Sequence, residues 1–203
     1  MRVVTLGLAL AALAAAPLSA QAPTEKPGPA TPAMDDAAIF AILEKASTSE
    51  IELGELATRM GQSSDVRNLG KTLVEDHTQG RQKARDLAKK IGVTPATPME
   101  PMKDMKDSSM AKYPGDTLGK VHPKESHDAT MARLKGLKGN EFDVAFIAKA
   151  IEAHQRMIDA VDHKFIPAAQ NPELKQFLTE MKPSLQSHLD QARALEKKLA
   201  LGD

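Results

Sequence analysis

Cysteine is absent from the 203-residue chain. That excludes disulfides, and it excludes anchoring through a lipidated N-terminal cysteine. Tryptophan is also absent, tyrosine occurs once, and aromatic residues make up 3%. Sheets concentrate aromatic and β-branched residues, so this scarcity favours helices. Neither sign of charge is in excess, with 27 basic and 27 acidic residues. Nucleic-acid binders carry a basic excess or patch, so nucleic acid is not an expected partner. There is no Ser/His/Asp order, phosphate loop or nucleotide fingerprint, which points away from an enzyme.

What is present begins with a targeting pattern. Met1-Arg2 is a short positive start, Val3 to Ala16 is apolar, and Pro17-Leu18-Ser19-Ala20 ends in small residues. This predicts a cleaved signal peptide over residues 1–20. The apolar run is short of the roughly 20 residues that span a bilayer, and no second such run follows. Cleavage would leave 26 basic and 27 acidic residues in an exported chain without a membrane span, periplasmic or extracellular. Residues 21–34, QAPTEKPGPATPAM, hold four prolines and predict a disordered leader. The domain proper is expected over 35–201.

Within it, four apolar stripes repeat at steps of three and four, the mark of one helix face. They read Leu43, Ala46, Glu50, Leu53, Ala57, Met60; then Val66, Gly70, Leu73, His77, Gly80, Ala84, Leu87, Ile91; then Ile147, Ala150, His154, Met157, Val161; then Leu174, Phe177, Met181, Leu185, His188, Ala192, Leu195, Leu199. Each stripe is interrupted once, near its middle, by a group that binds protons or metals. Antiparallel packing would bring Glu50, His77, His154 and His188 to one level.

Turn and cap signals set the helix limits. The first helix is expected from Asp35-Asp36 to Met60-Gly61, and the second from Ser63 or Ser64 to Ile91, with Gly92 and Pro95 stopping it. Residues 93–124 hold five prolines and read as a long crossover, completed by a short helix near 126–137. Asn140 is expected to cap the third long helix, with Asp143 in near capping-box position. That helix should reach Phe165 before Pro167. Asn171-Pro172 opens the fourth, which runs to about Leu201 with a kink expected at Pro183.

The segments Glu50-Ile51-Glu52-Leu53-Gly54-Glu55-Leu56-Ala57, Leu73-Val74-Glu75-Asp76-His77, Gly139-Asn140-Glu141-Phe142-Asp143 and Met181-Lys182-Pro183-Ser184-Leu185-Gln186-Ser187-His188-Leu189 occur in an order and spacing that resemble the bacterial exported domain of unknown function 4142 family, over residues 35–200. The resemblance implies export and an all-α, ferritin-like four-helix bundle of two antiparallel hairpins joined by a crossover. It implies no established activity. Members are often labelled outer membrane proteins, but no barrel strands are legible here. Ferritin-like di-iron centres use Glu-x-x-His pairs on two helices. Val74 and Leu185 stand where those glutamates would precede His77 and His188, so a carboxylate-bridged di-iron site is not predicted.

The four stripe residues carry the chemistry. Imidazole suits transition metals and a carboxylate completes a neutralising shell, so Glu50, His77, His154 and His188 are candidate ligands for one ion, Zn, Fe, Mn or Cu. Asp76, Glu152 and Gln186 are candidates to orient the rings. The alternative is a non-enzymatic interaction or scaffold module whose buried Glu/His cluster fixes helix register. A second, weaker copper candidate is Met99, Met102, Met105 and Met110 with His122, His127 and Met131. His163 reads as a helix-end charge partner. The sequence permits a homo-oligomer and names no protein partner.

Overall fold

The computed structural model describes residues 34–95 and 125–201. Those residues form helices and no strand: α1 (Asp36–Met60), α2 (Ser64–Lys90), α3 (His127–Gly136), α4 (Gly139–Ala160), the short α5 (Ile166–Ala168) and α6 (Pro172–Leu201). One π-helical turn, Val161–Phe165, joins α4 to α5. The signal-like segment, most of the proline-rich leader, and Met99, Met102, Met105, Met110 and His122 lie outside the described residues.

The caps explain the helix limits. The Asp35 carboxylate accepts from the Ala38 N–H at 2.8 Å, and Ser63 and Asn171 do the same for the first turns of α2 and α6. Three residues separate α1 from α2, so they pack antiparallel; α4 and α6 form the other hairpin. The architecture is therefore the all-α, ferritin-like four-helix bundle, with α3 as the extra short helix.

Within the first hairpin the backbones come close at two glycines. A Cβ on Gly54 would lie 2.6 Å from the Gly70 carbonyl oxygen, and a Cβ on Gly70 2.7 Å from that of Gly54.

One capping expectation is corrected. The N-cap of α4 is Lys138, which makes no side-chain cap bond, and Gly139 enters the helix at a φ of 59° that favours glycine. Asn140 is already inside the first turn. Asp143 reaches away from its own helix: its carboxylate accepts from the Gln62 and Ser63 N–H groups at 2.9 and 2.8 Å, where α2 begins. Asp36, in the first turn of α1, does the same for Gln170 and Asn171 at the start of α6. Each hairpin thus supplies a carboxylate that caps the second helix of the other.

The third long helix also ends differently. It passes into the wider π turn before Pro167, which has no N–H to continue an α-helical ladder. Helix α6 runs through Pro183.

The core has two halves. One gathers Ile39, Phe40, Leu43, Val161, Phe165, Leu174 and Leu178. The other gathers Leu53, Leu56, Leu69, Leu73, Phe142, Phe146 and Ile147. Each fully buried side chain of this size stabilises by roughly 1.5–3 kcal/mol. Between the halves, along the chain of each long helix, stand Glu50, His77, His154 and His188.

Candidate metal centre

Helices α2, α4 and α6 each contribute one histidine to the polar layer. One ring nitrogen from each of His77, His154 and His188 lies within 4.8 Å of the other two. His154 and His188 are 2% exposed, deep inside the bundle. His154 Nε2 is 3.2 Å from His188 Nδ1 and 3.4 Å from His77 Nε2. The His154 and His188 rings meet edge to face, at 89°.

The outer nitrogens decide the tautomers. His154 Nδ1 lies 2.8 Å from the Ala150 carbonyl oxygen, which only accepts, so Nδ1 carries the proton. His188 Nε2 lies 2.8 Å from Asp76 Oδ2, a carboxylate that likewise accepts, so Nε2 carries the proton there. In the neutral rings His154 Nε2 and His188 Nδ1 are therefore bare lone pairs aimed at each other. His77 can donate from Nε2 to His154, but His188 Nδ1 then still faces a nitrogen with no hydrogen to give.

Protonating a ring would supply the missing hydrogen, and burial opposes it. Desolvation, helped by the neighbouring His154 and His188, pulls His77 down to about 3. Burial also lowers His154 against its bond to Ala150, and lowers His188 against its bond to Asp76. Burial thus favours the neutral form of all three rings.

Glu50 is placed apart from the three nitrogens. It is buried on α1 and its Oε2 has no hydrogen-bond partner. Desolvation pushes its carboxyl up to about 7, against the opposing charges of Lys149, His188 and His127.

The orienting residues divide. Asp76 hydrogen-bonds to His188 across the helix interface. The buried Glu152 carboxylate is held by Lys149 at 3.0 Å and Arg156 at 2.7 Å. Gln186 bonds to Asp190 on the surface. Of the described members of the methionine-rich candidate, His127 bonds to Glu52 at 2.6 Å and Met131 packs on the core. His163 donates to the Asp159 carbonyl.

Sequence reasoning missed a cleft of about 220 Å³ between α1, α2 and α6. His77, His188 and Asp76 line it, together with Ser47, Lys83 and Glu180. No periodicity announces such a space, because it depends on how three helices diverge.

In the described residues no helix is long and apolar enough to cross a membrane. Among solved structures the chain is similar to a DUF305 fragment from Deinococcus radiodurans, at 15% identity and a TM-score of 0.63, covering 84% of this chain and 99% of that one. A DUF305 protein from Streptomyces coelicolor, named as secreted, matches at 14% identity and a TM-score of 0.61, covering 81% and 93%. CopM in its Cu(II)-bound form matches at 13% identity and a TM-score of 0.58, covering 81% and 97%. At these identities the likeness is one of fold. No curated protein matches significantly. A family model does match, over residues 21–195, and by that match the chain belongs to the domain of unknown function family DUF4142.

Proposed function

We propose that this domain binds one transition metal ion through His77, His154 and His188. The observation that carries the reading is the pair of bare nitrogens, His154 Nε2 and His188 Nδ1, held 3.2 Å apart by outer hydrogen bonds that fix both tautomers. Such an arrangement is repulsive when empty and suited to an electrophile between the rings. Two of the three nitrogen separations also fit; the third, between His77 and His188, lies within 4.8 Å. Metal–nitrogen bonds of about 2.0–2.1 Å in tetrahedral geometry place neighbouring nitrogens about 3.3–3.4 Å apart, beside the 3.2 and 3.4 Å found here.

Asp76 acts as the partner that orients a metal-binding imidazole and raises its basicity. Glu50 supplies negative charge in the same layer, and a cation there would favour its ionised form. Copper is the first ion to test, since imidazole suits it and a structurally similar protein is known in a Cu(II)-bound form. Zn, Fe and Mn follow. The role we infer is metal handling by an exported protein, periplasmic or extracellular.

The scaffold reading, in which the cluster only sets helix register, ranks second. It leaves His188 Nδ1 without a donor, a cost that a structural network would not be expected to retain.

Equilibrium dialysis of the metal-free domain against each ion tests the proposal. One ion per chain, lost in His154→Ala, supports it; no uptake of any of the four ions contradicts it.

A further inference from the structure

Buried ligands need an entry path, and one glycine stands beside it without a structural reason. Gly54 and Gly70 are required by close backbone approach, and Gly61 ends α1. Gly80 is different. It lies inside α2, one turn beyond His77, and a Cβ built on it would meet nothing within 4 Å. Glycine is among the poorest helix formers, and an alanine would fit here. Yet Gly80 lines the cleft that reaches His77 and His188.

The walls of that cleft suit a cation. Asp76 and Glu180 bring two carboxylates against the single ammonium of Lys83, and Met181 brings a thioether. A volume of about 220 Å³ accommodates an ion with six waters of about 30 Å³ each.

Resting on the metal reading above, we propose that the cleft between α1, α2 and α6 is the route by which a hydrated metal ion enters and leaves the histidine cluster, and that Gly80 keeps it open. A large side chain at this position would fill the cleft without displacing any backbone. It would therefore change the rate of exchange and leave the ligands, and the final occupancy, as they were.

The test is stopped-flow uptake of Cu(II) by the metal-free domain, followed by metal analysis after desalting. Three variants are compared with the unsubstituted chain: Gly80→Leu, Ser184→Phe on the opposite wall, and Gly136→Leu at the end of α3, where added atoms also meet open space. Circular dichroism verifies the helical fold of each. Gly80→Leu and Ser184→Phe should each slow uptake at least about tenfold with unchanged copper per chain, and Gly136→Leu should not. If either cleft variant fails to fold, the other decides. Uptake by folded cleft variants at the unsubstituted rate overturns the channel and leaves the metal site standing. Absence of uptake by the unsubstituted chain overturns the metal site and the channel with it.

Discussion

His188 Nε2 donates to Asp76 Oδ2 across the α2–α6 interface at 2.8 Å, and that one bond determines what the other face of the ring can do. With the proton held at Nε2, Nδ1 is a lone pair directed at His154. The half-exposed Asp76 thus controls the chemistry of a buried nitrogen.

On the metal reading proposed above, Asp76→Asn should weaken binding without removing a ligand. The amide oxygen can keep the hydrogen bond but loses the charge that makes the imidazole more basic. Loss of such a partner typically costs 10–100-fold in affinity. Competitive titration with a chelator reads this, with one ion per chain still bound at saturation.

Glu50 and the histidines give opposite pH dependences, and the signs can be separated. The Glu50 pKa rises from 4.5 to about 7 on folding. In the metal-free protein its cost is absent below pH 4.5, grows as the unfolded chain ionises, and is complete near pH 7. At about 1.4 kcal/mol per unit this reaches roughly 3 kcal/mol. Glu50→Gln should stabilise the metal-free domain by up to about that much at pH 8 and by nothing at pH 4. Denaturant unfolding at the two pH values measures the difference.

For His77 the folded pKa falls from 6.5 to about 3. The unfolded chain then binds the extra proton, so stability is complete above pH 6.5 and declines as the pH falls towards 3. His77→Gln should flatten this acid limb of the metal-free protein, as read by thermal unfolding between pH 7 and 4.

The glycines of the first hairpin separate packing from entry. Gly54→Ala puts a methyl group 2.6 Å from a backbone oxygen that cannot move alone. A cost of about 1–3 kcal/mol is expected. Gly80→Ala, in open space within a helix, should stabilise by about 0.5–1 kcal/mol. Parallel urea titrations should show midpoints moving in opposite directions.

The helices were legible in the sequence because caps and stripes are local. Asp35, Ser63, Ser126 and Asn171 mark helix starts that the structure reproduces. A stripe also gives depth along a helix, which is why three of its four interruptions meet. It does not give the rotation of each helix against its neighbours, and so Glu50 shares the layer but stands outside the group of ligand atoms that lie within 4.8 Å of one another. Glu152 shows the same limit. Two residues before His154, it projects from the far side of α4 and meets Lys149 and Arg156. The reciprocal carboxylate caps of Asp36 and Asp143 bridge segments more than 75 residues apart, a relationship no local pattern encodes.

On the reading proposed above, the facing nitrogens of His154 and His188 are held for a metal. Elemental analysis of the protein, purified without a metal-binding tag beside a His154→Ala/His188→Ala variant, tests this. Close to one transition metal ion per chain is expected in the first and none in the second. Equal metal in both, or none in either after exposure to Zn, Fe, Mn and Cu, would contradict it.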